Sequence, residues 1–199
     1  VTTFFAESLI PAVGVLDIDT ELTPLQESFF MTQRIPNFYL VLNMFPEFLD
    51  RILETRDTFL FGDGPLPDDW RFYIAIMASC AYHSDYLINY TIDLFLQRGG
   101  DFTWIQEGVE KLPPKLQAIL EFNQLLAHIP WTIDAGHIEK LTEAGWSPIE
   151  IVHAAAIMAS YHNLANFIYG VGICAEIDMP SFQDYASIRY DSDQDSVNQ

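Results

Sequence analysis

The residue types best suited to chemistry lie in one stretch, IMASCAYHSDYLINYTIDLFLQRGGD, from Ile76 to Asp101. Cys80 and His83 are three residues apart, so a helix would place a thiol near an imidazole that could act as its base. Ser84 and Asp85 follow directly, but neighbours on a helix point in different directions, which disfavours a serine–histidine–aspartate arrangement. The structural alternative is that Cys80 is a small core residue and His83 makes one hydrogen bond.

Two acid–histidine pairs have a spacing found among metal ligands. Glu150 and His153 form E-x-x-H, and Asp134 and His137 are spaced in the same way. A di-iron bundle needs two E-x-x-H units and two further glutamates from facing helices. The chain has only one clean unit, so we predict no metal and no cofactor. His128, in LLAHIPW, is expected to end a helix and to interact with its last carbonyl groups.

The charge of the chain restricts the partners that it can bind. Its 199 residues include 28 acidic but only 9 basic residues, which gives a formal net charge of -19. Nucleic acids and anionic membrane surfaces need cationic partners, so neither is expected to bind. No apolar run approaches the roughly 20 residues that span a bilayer. The expected partners are other protein subunits with basic surfaces.

Cysteine usage predicts the compartment. Cys80 and Cys174 are the only cysteines, and each lies alone in an apolar segment, which is typical of free thiols rather than of a disulfide framework. We therefore expect an intracellular, reducing compartment, with the cytoplasm favoured and import into an organelle left open. The chain begins with Val1, which indicates processing or a longer parent chain.

Helical periodicity predicts an all-α fold, because strand-like alternation is hard to find. A first apolar stripe lies on one side of the helical segment over residues 38–53. It has a kink near Pro46 and is expected to face the core. Asp68 or Asp69 is expected to cap one long helix that ends near the glycine pair at 99–100, and Ser147 to cap the last helix. The residues of the first stripe are Phe38, Leu42, Phe45, Phe48, Leu49, Ile52 and Leu53.

The chain divides into a folded body and two polar or aperiodic ends. We predict an arm over residues 1–20, a helical domain over 21–180 and an acidic, flexible tail over 181–199. Both ends lack apolar periodicity, so we expect neighbouring protein chains to order them. AIMASCAYH at Ala75–His83 recurs as AIMASYH at Ala156–His162. The repeat is explained either by two central helices that need small residues or by a duplicated helical unit.

Several segments together resemble a known family. DGPLPDDWRFYIAIMA, LQRGGDFTWI, LPPKLQAILEFNQLLAHIPWTI and WSPIEIVHAAAIMASYHNLANFIYGVGI are similar to the N-terminal domain of the sestrins, in order, from Phe38 to Ile177. That domain is all-helical and is similar to the carboxymuconolactone decarboxylase and alkylhydroperoxidase (AhpD-like) fold. The resemblance therefore implies an AhpD-like helical bundle.

The resemblance also implies a chemistry that the chain has lost. The sestrin motif for peroxide reduction is a cysteine, a tyrosine two residues later and a histidine seven residues after the cysteine. Counted back from Gly99, these positions are Ser84, Tyr86 and Thr91, and the second cysteine of related alkylhydroperoxidases falls on Leu87. Only the tyrosine remains. A serine cannot form the sulfenic acid that thiol-based peroxide reduction requires, so we predict a pseudoenzyme.

Three functions remain open at this point. The first is a non-catalytic, sestrin-like module that acts as a structural or interaction subunit of an assembly. The second is a thiol-dependent hydroperoxide reductase in which Cys80 is the nucleophile and His83 its base. The third is a fragment of a sestrin-type regulator of stress and amino-acid signalling. In sestrins, leucine binds the C-terminal domain, which also contacts the GATOR machinery.

Overall fold

The computed structural model describes Thr3, residues 25–26, 28–29 and 35–174, and among these residues it contains helices and no strand. The all-α prediction is therefore confirmed. No helix in this part of the chain is long and apolar enough to cross a membrane. The helices are α1 Asn37–Leu42, α2 Pro46–Arg56, α3 Asp68–Ala81, α4 Asp85–Gln97, α5 Phe102–Gln106, α6 Pro114–Gln117, α7 Ile119–His128, α8 Ala135–Glu143 and α9 Pro148–Val171.

One compact unit comprises Val1–Gly62 and Asn166–Ile177. It contains α1 and α2, and α2 continues into a π-helical turn at Asp57–Phe61. The arm and tail predicted at the two ends lie outside the described residues except for Thr3, whose hydroxyl donates to the carbonyl of Val171 at 2.6 Å.

The apolar stripe predicted for this unit is only partly correct. Leu49 and Leu53 are buried as expected, but Phe45 is 61% and Phe48 44% exposed. The chain leaves the helical path after α1, and Pro46 begins a new helix with Phe45 as its N-cap. Because the proline restarts the helix in a different phase, the two phenylalanines leave the buried face.

The second unit comprises Asp63–Ala165 and Asp178–Gln199 and is built around α3. Every residue of α3 from Arg71 to Ser79 is buried. The predicted cap is wrong, because Pro67 is the N-cap; Asp68 and Asp69 instead lie in the first turn, where carboxylates complement the helix dipole. The largest fully buried side chains of this unit are Leu66, Phe72, Ile74, Leu87, Phe95, Leu116, Ile119, Trp146, Ile157 and Met158.

The loop GDGPLP, residues 62–67, is fixed to the start of α3 by a buried arginine. Arg71 is 4% exposed. Its Nε donates to the carbonyl of Leu66 at 2.7 Å, and one terminal nitrogen donates to the carbonyl of Gly64 at 3.3 Å. The other terminal nitrogen lies 3.3 Å from the carboxylate of Asp68. These bonds satisfy a buried charge and hold the loop in one shape.

Candidate functional site

The helix predicted to run from Asp68 to the glycine pair is in fact two helices. α3 ends at Ala81, and His83 adopts a left-handed conformation with φ 52°. The amide of Ser84 donates to the carbonyl of Ser79 at 3.2 Å, and the amide of His83 donates to the carbonyl of Cys80 at 3.0 Å. This pair of bonds is the Schellman motif that closes a helix. The usual signal is glycine, so a histidine at this position concealed the break.

The break places Ser84 at the N-terminal end of α4. Ser84 is the N-cap of α4, yet its side chain makes no capping hydrogen bond. The residue is 2% exposed, and its Oγ is buried with no hydrogen-bond partner among the described residues. A buried hydroxyl without a partner is uncommon, because its desolvation is not compensated. The position that we predict to correspond to the sestrin nucleophile thus holds an enclosed oxygen.

The other two positions of the motif follow on α4. Thr91 is fully buried and donates from its hydroxyl to the carbonyl of Leu87 at 2.7 Å. Tyr86 is 6% exposed. Ser84 and Thr91 are two helical turns apart, which places them on similar sides of α4. We predict that all three face the pocket that the catalytic residues occupy in active relatives.

Cys80 does not have the environment of a reactive thiolate. The residue is exposed rather than part of the core, so the structural alternative for Cys80 is wrong. The pKa of the thiol is nevertheless raised. The larger cause is desolvation by the surrounding protein, and the smaller is the negative charge of Asp85. The thiol therefore stays protonated at neutral pH, whereas a peroxidatic cysteine needs a lowered pKa.

A buried polar cluster that the sequence reasoning missed joins α3, α7 and α9. Asn123 donates to the carbonyl of Met77 at 3.0 Å, and its Oδ1 lies 3.1 Å from Nε2 of His162. Because the amide nitrogen is already donating, Nε2 of His162 carries the proton. The repeated AIMASYH sequence contains His162 and was the available signal.

The ring of Tyr82 packs against this buried histidine. The Tyr82 ring centroid lies 5.2 Å from that of His162 and 5.8 Å from that of His128. The Tyr82 hydroxyl donates to the carbonyl of Ala127 at 2.9 Å. Desolvation, and next the nearby His128, lower the pKa of His162 to about 4. His162 is therefore neutral at physiological pH. His128 itself ends α7, as predicted.

Glu150 has a structural role in capping α9. The Ser147 amide and hydroxyl donate to its carboxylate at 2.7 and 2.8 Å, and the Glu150 amide faces the Ser147 hydroxyl at 3.4 Å. This is the predicted cap, extended to a capping box. The ammonium of Lys115 binds both carboxylate oxygens at 2.8 and 2.9 Å. The hydrogen bond to Lys115 is the main reason that the pKa of Glu150 is lowered.

The Lys115 ammonium also lies beside two indole rings, 5.8 Å from the centroid of Trp70 and 5.4 Å from that of Trp146. Asp134 and His137, the other pair with metal-like spacing, form a capping box at the start of α8. Across the described residues, no group of three or more His, Cys, Asp or Glu could hold a metal ion.

Comparison with known proteins gives a consistent result. A family model described as PA26 p53-induced protein (sestrin) matches residues 1–198. Sestrin-1 of Macaca fascicularis is 40% identical over 175 residues, which cover 84% of this chain and 35% of that protein. Sestrin-3 of Mus musculus is 41% identical over 157 residues, or 77% of this chain and 32% of that protein. The chain thus spans about a third of the length of these relatives.

Solved structures show the same fold at low identity. A peroxidase-related protein from Silicibacter sp. TM1040 aligns with a TM-score of 0.70 at 15% identity, over 82% of this chain and 92% of that one. A peroxidase-related protein with an alkylhydroperoxidase AhpD core, from Ralstonia eutropha JMP134, aligns with a TM-score of 0.63 at 18% identity, over 78% and 84% of the two chains. At these identities the likeness establishes the fold alone.

Proposed function

Because this chain belongs to the sestrin family and has an AhpD-like all-α fold, we propose that it is a non-catalytic member that acts through protein contacts. The observation that carries the proposal is the residue at the nucleophile position. We align Ser84 with the cysteine of the family motif, and its hydroxyl is enclosed without a partner in the part of the chain that the structure describes. A serine oxygen cannot pass through a sulfenic acid, so the peroxide-reducing cycle has no first step.

The histidine position supports the same proposal. Thr91 cannot accept a proton near neutral pH, and its hydroxyl already donates to the backbone within α4. Ser84 could be activated only by a general base within hydrogen-bond reach, and its Oγ contacts no such group among the described residues. Neither Ser84 nor Thr91 is therefore paired with a base.

The surface favours a role in an assembly. A net charge of -19 suits contact with basic protein surfaces and disfavours nucleic acid. We propose residues 21–180 as the helical domain, with residues 1–20 and 181–199 as ends that bind neighbouring subunits. Free thiols at Cys80 and Cys174 support a reducing intracellular compartment.

The test is peroxidase turnover with an organic hydroperoxide and a thiol reductant. We expect none from the native chain. The double variant Ser84→Cys with Thr91→His restores both lost groups and should gain measurable turnover, while Ser84→Ala with Thr91→Val is the matched control that should not. Native turnover that disappears in Ser84→Ala would show that the proposed loss of function is wrong.

A second candidate is a hydroperoxide reductase that uses Cys80. Its exposure favours this function, since a peroxide could reach it, but the raised pKa of its thiol opposes it. Native turnover that vanishes in Cys80→Ser and survives Ser84→Ala would support it.

A third candidate, part of a sestrin-type stress and amino-acid signalling regulator, is favoured by the chain's coverage of only 35% of Sestrin-1. The length of the parent transcript tests that candidate.

A further inference from the structure

One side of α9 is exposed and carries no charged side chain. Ile149 is 65% and Val152 68% exposed. Three further exposed residues, Ala156, Ala159 and Asn163, continue the same line along the helix. From Ile149 onward the five positions follow one another at intervals of three, four, three and four residues, which is the spacing of the a and d positions of a coiled-coil heptad. We name these five residues the α9 seam.

Other positions of α9 already belong to the core of this unit. Ala154, Ile157 and Met158 are fully buried. In a surface helix that packs on one side, charged and polar residues normally occupy the side that faces water. The α9 seam instead presents two branched aliphatic side chains and two alanines to water. Its residue types and their spacing are those of a contact between helices.

The charge of α9 indicates which partner fits this contact. No Asp, Glu, Lys or Arg lies in α9 after Glu150, although the chain has 28 acidic residues. Glu150 itself is 17% exposed, and Lys115 binds both of its carboxylate oxygens. A basic partner would therefore find no carboxylate on the α9 seam. Two copies of a chain with a net charge of -19 repel each other, and the repulsion is smallest where the facing surfaces hold no acid.

We propose that the α9 seam binds the α9 seam of a second copy of this chain. Two helices with this spacing pack along their a and d positions, and a two-fold pair needs one patch that is complementary to itself. Ala156 and Ala159 are small, so the two helix axes can approach closely. The inference goes beyond the proposed function, because it depends neither on the loss of peroxide chemistry nor on a basic partner.

The dimer should be weak and should respond to salt in a characteristic way. Five residues are few beside the roughly 20–30 that each side of a standard interface contributes, so we expect a Kd of about 10–100 μM. No ion pair crosses an uncharged seam, so salt can only screen the repulsion between the two acidic chains. Self-association should therefore tighten as the salt concentration rises, whereas a contact with a basic partner would weaken.

Sedimentation equilibrium of the full chain, from about 5 to 500 μM protein and at about 0.05 and 0.5 M salt, measures the Kd. The native chain should change from monomer to dimer within this range, at a lower concentration in the higher salt. Ala156→Glu places a charge at the centre of each seam and should weaken the dimer at least about 10-fold. Ala135→Glu makes the same substitution at an exposed position of α8 and should leave the Kd unchanged.

A second pair of variants removes apolar surface without adding charge. Ile149→Ala with Val152→Ala takes branched side chains from both copies of the seam, and should also weaken the dimer about 10-fold or more. Val109→Ala with Ile138→Ala removes exposed apolar groups elsewhere, at 43% and 37% exposed positions, and should have no effect. Circular dichroism confirms that each variant is folded, which exposed positions should tolerate.

Several results would overturn the proposed dimer. A native chain that stays monomeric at 0.5 M salt and about 500 μM does not pair through this seam. A dimer that is indifferent to Ala156→Glu, or that weakens equally in Ala135→Glu, uses another surface. Association that weakens with salt would show a contact between opposite charges instead. Peroxidase turnover does not enter these measurements, so failure of the dimer and failure of the proposed function are separate outcomes.

Discussion

Replacing the buried histidine of α9 should remove a specific part of the pH dependence of stability. His162 is 6% exposed and its pKa is lowered from an ordinary 6.5 to about 4, first by desolvation and then by His128. Between these two pH values the unfolded chain binds a proton on this residue and the folded chain does not. Stability therefore falls as the pH drops from 6.5, and the whole contribution is lost near pH 4.

The size of the effect follows from the same values. Each pH unit between the two pKa values corresponds to about 1.36 kcal/mol in the free energy of unfolding. Through His162 the native chain should therefore lose about 3 kcal/mol of this free energy as the pH falls from 6.5 to 4. In His162→Gln the amide can still donate to Oδ1 of Asn123, but it does not titrate. Between pH 7 and 4, the free energy of unfolding of the variant should thus fall by about 3 kcal/mol less than that of the native chain.

Urea unfolding followed by far-ultraviolet circular dichroism, repeated across this pH range, measures the difference. His83→Asn is the matched control, because His83 is exposed and asparagine tolerates its left-handed backbone. Its pH profile should parallel that of the native chain. Parallel profiles for His162→Gln and the native chain would refute the assignment of a buried neutral histidine.

Two further predictions concern packing and charge, and both are measured as changes in the free energy of unfolding. Gly100→Ala should destabilise by about 1–3 kcal/mol, because its Cβ would lie 2.3 Å from the ring of the fully buried Phe95. Gly170→Ala in α9 meets no atom within 4 Å and should stabilise by up to about 1 kcal/mol; equal destabilisation by both would contradict the packing argument. Lys115→Met should cost about 1–3 kcal/mol, because it leaves the 17%-exposed Glu150 without its cation. Arg51→Met, which breaks an exposed pair, should have no measurable effect, and a similar loss in both would show that burial is not the cause.

The features that the sequence predicted correctly are those that depend on neighbours within one or two helical turns. Ser147 with Glu150 caps α9, and the glycine pair at 99–100 closes α4, with Gly99 at φ 78°. These two features are local, so their residue types identified them without knowledge of the packing.

Tertiary structure decided what local patterns leave open. Periodicity indicated an apolar side of the first stripe, but the restart at Pro46 turned Phe45 and Phe48 to solvent. His83 occupies the left-handed position that usually signals itself by a glycine, so a continuous helix was the natural and wrong prediction.

The buried polar cluster shows the physical reason most clearly. His162 and Asn123 are 39 residues apart in sequence, and their bond exists because the fold brings these two positions of α7 and α9 together beside Met77 of α3. The residue types predict that each can donate and accept a hydrogen bond. Only the packed helices determine that they exclude water around one imidazole, and that exclusion sets its charge.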